Sequence, residues 1–480
     1  MSSYRHLLRF VLAAWSLIIL ASCKTGISEP APSTTISTPL MDYVLADDPA
    51  FDYEIVHTKK GENYTYYVTR MTSQHWLTPE QVNETEWWHW VTLVVPDDYT
   101  YSTALMWIGG GSKDDALPAE PDALTIQTAS ATNSVVAQVH NIPFQPLAFS
   151  DDPDNQRYED AIIAYGWRKF MEGGARDEDA YWLSRLPMTN AVVSAMDVVQ
   201  QVIKQHHDTP IENFVVAGAS KRGWTTWTTG AVDKRVVGIA PVVIDLLNVV
   251  PSFQHHWRNY GAWSPAVDDY VNEGIMDWQG SAEYNRLLEI VEPYSYRQLY
   301  TMPKLLINAT GDEFFLPDSW KFYYNDLPGE KHLMYVPNTG HDVSGTDALQ
   351  NLTAFYASIL DEKPRPTYTW TIDGDRFIIN TDPTNPPASI KLWKATNEAA
   401  RDFRIYVVGK IWTPTEIPVN GSGTYSISMT APDKGWSGYF VELTYPGKIP
   451  LKVTTGVEVL PRTYPYEPYV SASPKGTKVN

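Results

Sequence analysis

The sequence predicts an α/β-hydrolase fold, a mainly parallel β-sheet with helices on both faces. Uniformly apolar segments, typical of buried parallel strands, recur through the middle of the chain as NSVVAQV, NFVVAGAS, VVGIAPVVI, KLLINAT and KHLMYVP. Between the first two lies TNAVVSAMDVVQQVIKQHH, whose apolar residues recur at helical spacing. Ser220 directly follows one of the apolar segments, at the position where this fold carries its nucleophile.

The N-terminus predicts export and lipid attachment. After Arg5 and Arg9 comes FVLAAWSLIILA, an apolar run too short for a membrane span and typical of a signal peptide. The run closes on LASC, which resembles the lipobox of bacterial lipoproteins and ends in Cys23, the only cysteine of the chain. We therefore expect residues 1–22 to be a lipoprotein signal peptide and Cys23 to anchor an exported periplasmic or cell-surface protein to a membrane. A plain signal peptide with an incidental cysteine is the alternative.

The rest of the chain divides by its local patterns. Residues 23–40 are rich in Ser, Thr and Pro and are expected to form a flexible tether. The hydrolase domain is expected over residues 41–365 and opens with the β-rich segments YTYYVTRM and WWHWVTLVVP. Within it, residues 245–300 are dense in aromatic residues without strand signals, which predicts a cap-like insertion. Short strands replace helices over residues 366–480, which predicts a β-sandwich-like, all-β domain of the immunoglobulin type.

The overall charge excludes one class of partner. The formal net charge is −19, and no basic stripe is present to displace counterions from phosphate groups. The sequence therefore argues against binding to nucleic acid. The partner that we expect is a small-molecule or peptide substrate.

The segment FVVAGASKRGW predicts a nucleophilic serine. A serine in a tight strand–turn–helix has its hydroxyl forced outward, and only small neighbours permit the bend. Gly218 stands two residues before Ser220, whereas Arg222 occupies the place of the usual second glycine and Gly223 follows it. A tight turn without chemical consequence is the alternative interpretation.

Two later segments supply partners for this serine. Asp312 follows the strand KLLINAT, and His341 follows the strand KHLMYVP. Both positions lie where parallel strands end, at the edge at which open α/β sheets build their sites. The order serine, acid, histidine is that of α/β-hydrolases, in which the imidazole is the base and the carboxylate orients it. Glu313 is the alternative acid, and turn or loop roles are the alternative for each residue.

The tetrahedral intermediate of such a reaction needs backbone N–H donors. The residue after the nucleophile, Lys221, is one candidate. The glycine run 109–111 follows an earlier strand and offers unblocked amides, of which Gly110 or Gly111 is favoured. A plain flexible loop is the alternative for this run.

Other polar residues carry weaker predictions. His255, His256 and Trp257, in the aromatic insertion, are expected to line the substrate pocket. The spacing of carboxylates and cysteines that a metal site requires is missing around them, so neither a metal nor an organic cofactor is expected. Glu159 and Asp160 are interpreted as the first residues of a helix, with contact to a substrate amine as the alternative.

The sequence also resembles a known family, the PhoPQ-activated pathogenicity-related proteins. The similar segments include SQHWLTPE, EWWHWVTLVVP, VHNIPFQPLAF, RYEDAIIAYGW, LPMTNAVVSAMDVVQ, VVAGASKRGWTTW, KLLINATGDEFFLPDS, LPGEKHLMYVPNTGH and WKATNEAARDFR. The resemblance implies an α/β-hydrolase fold with a C-terminal β-domain, and its motif positions correspond to Ser220, Asp312 and His341. It also implies a secreted or periplasmic protein linked to virulence or growth control. The segment around Ser220 is in addition locally similar to that of glucuronoyl esterases.

Together these observations predict a lipid-anchored serine hydrolase that cleaves an ester or amide bond through an acyl-enzyme. Peptidase-like action is slightly favoured over simple esterase action, because the family is linked to peptide resistance and signalling. The alternative is a non-catalytic surface or secreted protein that keeps the hydrolase fold to bind a partner.

Overall fold

The computed structural model describes residues 37–479, which are built around one large mixed β-sheet. The strands are β1 (Asp52–Lys60), β2 (Tyr64–His75), β3 (Glu86–Pro96), β4 (Thr103–Ile108), β5 (Val136–Val139), β6 (Leu147–Phe149), β7 (Asp152–Arg157), β8 (Asn213–Ala219), β9 (Val236–Val242), β10 (Lys304–Ala309), β11 (Lys331–Val336), β12 (Tyr368–Asp373), β13 (Arg376–Thr381), β14 (Ser389–Asn397), β15 (Thr413–Ile417), β16 (Thr424–Ser428), β17 (Trp436–Tyr445), β18 (Leu451–Thr454) and β19 (Glu458–Leu460). The helices are α1 (Pro39–Leu45), α2 (Ala123–Thr132), α3 (Glu159–Glu172), α4 (Arg185–His206), α5 (Lys221–Val232), α6 (Val249–Tyr260), α7 (Asp268–Asn272), α8 (Ala282–Val291), α9 (Ala348–Leu360) and α10 (Ile405–Val408).

The strand order confirms the predicted fold class. The large sheet runs β1-β2-β3-β5-β4-β8-β9-β10-β11-β18-β17-β14-β15, with β19 paired to β17. Its middle, from β5 to β11, is parallel, and both flanks are antiparallel. The parallel strands end at one edge of the sheet, so the loops after β8, β10 and β11 meet there.

Helices cover both faces of the sheet, because its strands are apolar on both sides. In β8, Phe214 and Val216 join one core cluster, whereas Val215 and Ala217 join the other. Helices α4 and α5 pack on the first face and α2 and α9 on the second. Each residue of β10 is buried.

The aromatic segment between β9 and β10 is helical. It contains α6, α7, α8 and short 3₁₀ turns, and the described residues of this segment form no strand of the named sheets. Its large side chains, such as Trp278 and Tyr284, are buried in the same core cluster as α4 and α5. The segment therefore lies over the face of the sheet that carries those helices.

The C-terminal strands are antiparallel, as the sequence predicts. Strands β12, β13 and β16 form a sheet of their own, whereas β14, β15, β17, β18 and β19 belong to the large sheet. The connection is the pairing of Leu333 in β11 with Thr454 in β18, which covers a strand edge that would otherwise stay open. The predicted boundary between residues 365 and 366 lies between α9 and β12, and an independently folding immunoglobulin-like domain stays a prediction.

The N-terminal predictions fall mostly outside the described residues. The signal peptide expected at residues 1–22, Cys23 and residues 24–36 of the tether are among them. Helix α1 begins at Pro39, and Leu40 is buried, so the expected tether ends in helix rather than in flexible chain. Of the helices within residues 37–479, none combines the length and the apolar character that crossing a bilayer requires.

Candidate active site

Ser220 stands at a sharp bend between β8 and α5. Its backbone angles are φ 59° and ψ −125°, a left-handed conformation that costs a non-glycine residue free energy. The Ser220 N–H donates to the carbonyl oxygen of Val242 in the neighbouring strand at 2.8 Å, which helps hold the bend. The residue therefore has the strained strand–turn–helix geometry of a nucleophile elbow.

Both flanking glycines are required by close backbone approach. A Cβ on Gly218 would lie 2.8 Å from the carbonyl oxygen of Arg222. A Cβ on Gly223 would lie 3.0 Å from the carbonyl oxygens of Gly218 and Val242. The second glycine is thus needed at position 223, one residue later than usual, and the side chain of Arg222 donates through Nε to the carbonyl oxygen of Ile142 at 2.5 Å.

The structure brings Asp312 and His341 together. The Nδ1 of His341 lies 2.8 Å from Oδ2 of Asp312, and the other oxygen of Asp312 accepts from the N–H groups of Phe314 and Phe315 at 2.7 and 3.2 Å. Asp312 is 3% exposed, so its carboxylate is held firmly by these donors. Because Nδ1 donates to Asp312, the neutral ring carries its lone pair on Nε2.

Glu313 has a different partner. Its Oε2 accepts from the backbone N–H of His341 at 2.6 Å, and its side chain packs against Gly340. The carboxyl group that contacts the imidazole is therefore that of Asp312, whereas Glu313 fixes the backbone on which the imidazole stands.

The imidazole of His341 and the hydroxyl of Ser220 lie at the same edge of the sheet. The ring of Phe314 lies 4.3 Å from that of His341, and Phe314 also lines the pocket that contains Ser220. His341 lines a second pocket together with Ala219, the residue before Ser220. Within the described residues, Nε2 of His341 is buried and makes no hydrogen bond. Bonds between base and nucleophile often form only when substrate binds.

Three backbone amides near Ser220 have the freedom that an oxyanion site needs. The N–H groups of Lys221, Gly110 and Gly111 donate no hydrogen bond within residues 37–479. Gly110 packs so closely on the guanidinium of Arg222 that a Cβ there would lie 2.8 Å from its Nη2. The glycine loop and the start of α5 therefore adjoin each other, and the role of these amides as oxyanion donors stays a prediction.

The basic side chains that follow Ser220 are paired with carboxylates. Nζ of Lys221 lies 2.9 Å from carboxylate oxygens of both Glu159 and Asp160, and Arg222 lies 2.6 Å from Glu159. Burial alone would raise the pKa of Glu159, but Arg222 and Lys221 lower it to about 2. Glu159 and Asp160 open α3, as predicted, and their ion pairs leave no free carboxylate for a substrate amine.

The pocket beside Ser220 is narrow and largely apolar. It has a cavity volume of about 30 Å³, room for about two water molecules. Its walls include Trp167, Trp224, Phe253, Met276 and Tyr284, and several of these come from the helical segment between β9 and β10. The pocket thus suits a small apolar part of a substrate.

The sequence prediction for His255, His256 and Trp257 needs correction, because the described residues that line this pocket do not include them. His255 is 1% exposed, and its Nε2 donates to Asp318 at 2.7 Å. His256 accepts from the N–H of Ser264, and Trp257 packs on other aromatic rings. The rings of His255 and His256 are buried because partners distant in the sequence meet them in the interior, whereas Trp257 is only partly buried.

Arg185 is a pocket residue that the sequence analysis missed. It is 3% exposed, and its guanidinium lies 4.6 Å from the ring of Trp224. An arginine at the first position of a helix gives no sequence signal of burial, since most arginines there are exposed. As for metal ions, residues 37–479 hold no cluster of three or more His, Cys, Asp or Glu side chains that could bind one.

Comparison with known proteins gives one sequence family. The family model described as PhoPQ-activated pathogenicity-related protein matches residues 40–404. Autocrine proliferation repressor protein A of Dictyostelium discoideum is 38% identical over 463 residues, which are 90% of this chain and 92% of that protein.

Solved structures with a similar fold include two esterases. Acetyl xylan esterase 1 from Thermoanaerobacterium sp. has a TM-score of 0.47 and 13% identity, over 67% of this chain and 91% of that chain. A glucuronoyl esterase from Solibacter usitatus has a TM-score of 0.41 and 13% identity, over 66% of this chain and 90% of that chain. The fold class itself rests on the strand order of the sheet.

Proposed function

The chain belongs to the PhoPQ-activated pathogenicity-related protein family, and from this premise we propose that it is a serine hydrolase acting through an acyl-enzyme. The bond cleaved is an ester or an amide, peptide bonds included. One observation carries the proposal: an imidazole that Asp312 orients has an unpartnered Nε2 at the sheet edge where Ser220 stands in a strained elbow.

In the acylation step, Oγ of Ser220 attacks the substrate carbonyl carbon while Nε2 of His341 takes the hydroxyl proton. The resulting imidazolium is stabilised by the carboxylate of Asp312, which keeps its own charge. The tetrahedral intermediate then collapses, and His341 gives the proton to the departing alcohol or amine. The product of this step is an ester of Ser220.

Deacylation repeats the chemistry with water. His341 removes a proton from a water molecule that attacks the acyl carbon, and it then returns the proton to Oγ of Ser220. In both steps the carbonyl oxygen becomes negatively charged, and the N–H groups of Lys221 and of Gly110 or Gly111 would donate to it. A donor of this kind typically contributes about 3–4 kcal/mol to the stability of the transition state.

The decisive test is labelling with a fluorophosphonate probe, which reacts with activated serines. We expect the wild-type protein to gain one adduct, and peptide mapping to place it on Ser220. Ser220→Ala should remove labelling, whereas Ser422→Ala, at an exposed serine, should leave it unchanged. A folded wild-type protein that stays unlabelled would favour the alternative, a binding protein that keeps the hydrolase fold.

We propose further that the protein is exported and held at a membrane through lipid on Cys23. The support is that LASC has the lipobox pattern and that the chain has no other cysteine. Cys23→Ala should move the protein from the membrane fraction to the soluble fraction of expressing bacteria. Membrane association that survives this substitution would contradict the lipid anchor.

A further inference from the structure

Arg185 is a buried cation without a carboxylate partner. Its Nη1 donates to the backbone carbonyl of Lys221 at 2.8 Å, and its Nε makes no hydrogen bond within the described residues. The same residues form no direct ion pair with it; the charge of Asp160 acts on it only from beyond ion-pair distance, and Tyr270 lies between, with its hydroxyl donating to Asp160. Arg185 lines the pocket that contains Ser220.

The other cations beside the nucleophile have carboxylates of their own. Lys221 and Arg222 each lie within 2.9 Å of a carboxylate oxygen of Glu159 or Asp160. The guanidinium of Arg185, in contrast, has no carboxylate oxygen at ion-pair distance among residues 37–479. Stacking on Trp224 offsets part of the cost of burying it, but a cation in a largely apolar pocket is stabilised far more by an anion.

We propose that Arg185 binds a carboxylate of the substrate, and that the substrate class is therefore an ester or amide whose acyl group carries a second, anionic end. The inference rests on the proposed hydrolase function. A guanidinium suits this role because its planar N–H groups match the two oxygens of a carboxylate.

The placement of Arg185 agrees with such a substrate. It donates to the carbonyl of the residue that follows Ser220, so the anionic end and the reacting carbonyl are separated by a short acyl chain. The walls of this pocket are largely apolar, which suits the methylene groups of such a chain. A neutral acyl group of the same length would leave the guanidinium unpaired.

A different role for Arg185 must be distinguished, because its bond to the Lys221 carbonyl also helps hold the backbone of Lys221, whose own N–H is the proposed oxyanion donor. A residue that only positions this backbone would affect all substrates alike. A residue that binds a carboxylate affects the charged substrate and spares the neutral one. The experiment therefore uses two esters that differ in one terminal group.

The probes are monomethyl glutarate and methyl pentanoate, in which a carboxylate replaces a methyl group at the far end of the acyl chain. Their affinities for the Ser220→Ala protein are measured by calorimetry, which needs no turnover. We expect monomethyl glutarate to bind at least about tenfold more tightly. Arg185→Met should remove this preference by weakening the binding of monomethyl glutarate far more than that of methyl pentanoate, and Arg176→Met, at an exposed arginine, should keep the preference.

Equal affinities of the two esters for Ser220→Ala would overturn the proposal, even if the Arg185 variants failed to fold. An Arg185→Met protein that loses affinity for both esters equally would overturn it too, in favour of a positioning role. The wild-type enzyme is then assayed for hydrolysis of both esters. If the protein bound monomethyl glutarate selectively but hydrolysed neither ester, the carboxylate site would be supported and the hydrolase function would be contradicted.

Discussion

Two aspartate–histidine pairs in this molecule have nearly the same local geometry and differ in everything around them. Asp312 lies 2.8 Å from a ring nitrogen of His341, and Asp318, later on the same loop, lies 2.7 Å from a ring nitrogen of His255. Both carboxylates are buried. Distance and burial alone would not say which pair does chemistry.

The second nitrogen of each ring separates the pairs. Nδ1 of His255 accepts hydrogen bonds from Tyr464 and Asn259 at 3.0 and 3.1 Å, so this ring has no lone pair left for a substrate. Burial lowers the pKa of His255 to about 4, which keeps the ring neutral. In His341 the corresponding nitrogen has no partner within residues 37–479.

The surroundings of the two carboxylates differ as well. Asp318 also contacts Arg401 at 2.6 Å and Lys321 at 2.7 Å. Although burial opposes ionisation, Arg401 and His255 hold the pKa of Asp318 well below its usual range. This pair ties the helical segment, the loop and the C-terminal strands together, whereas the Asp312–His341 pair keeps one nitrogen free for proton transfer. An aspartate–histidine pair is a catalytic candidate only under two conditions. The ring nitrogen that faces away from the aspartate must make no hydrogen bond, and a nucleophile must lie near it.

The largest expected effect concerns the two imidazoles. His341→Gln should lower the rate of fluorophosphonate labelling by at least about 10³-fold, because the base that activates Ser220 is lost. His255→Gln should leave the rate of the folded protein within about threefold, since this ring cannot accept the proton. Both rates are followed by intact-protein mass spectrometry, after circular dichroism has shown that the variants are folded. Equal losses in the two variants would remove the distinction between the pairs.

The meeting of Asp312 with His341 was predictable from the sequence for a topological reason. Parallel strands end at one edge, so polar residues directly after β8, β10 and β11 meet there whatever the length of chain between them. The nucleophile elbow at Ser220 could also be predicted, because its small residues are adjacent in the sequence. Asp312 and Glu313 could not be separated in this way, because the choice depends on which carboxyl group reaches the ring and which reaches the backbone.

The second pair and Arg185 were not predictable, because their environments are assembled from distant segments. His255 is buried by contacts with Asp318 and Tyr464, and Arg185 by contacts with Trp224 and the start of α5. Local patterns carry no signal for such partners. The pairing of β18 with β11 was missed for the same reason, since an edge contact through few residues leaves no periodicity.

The next effect in size is on stability. Asp318→Asn should lower the free energy of unfolding by about 3–5 kcal/mol, because Arg401, which is 4% exposed, would keep a buried charge without its counter-charge. The shift is measured by urea unfolding followed through tryptophan fluorescence. The double variant Asp318→Asn, Arg401→Met is the control, and it should recover part of the loss. An Asp318→Asn protein as stable as the wild type would show that the second pair is not a structural one.

The smallest effect, counted per pH unit, extends the comparison to a third buried carboxyl group, Asp245. Its oxygens accept from the hydroxyls of Tyr323 and Tyr335 at 2.6 Å each, and among the described residues it has no cationic partner in an ion pair. Burial raises the pKa of Asp245 to about 8, and the nearby charges of Asp312 and Asp318 add to this. Where Asp318 stays ionised among cations, Asp245 is protonated at neutral pH among tyrosines.

A carboxyl group whose pKa is higher in the folded protein stabilises the fold at low pH and loses that contribution as the pH rises. Between pH 4 and pH 8 the folded state binds the Asp245 proton and the unfolded state releases it, so this group lowers stability by up to about 1.4 kcal/mol per pH unit. Asp245→Asn has no proton to lose, and its unfolding free energy should therefore fall less steeply with pH than that of the wild type. Urea unfolding at intervals from pH 5 to pH 8 compares the two slopes. If the unfolding free energies of the two proteins fell equally with pH, Asp245 would be ionised in the folded protein. Burial among tyrosines would then not give Asp245 a protonation state different from that of Asp318.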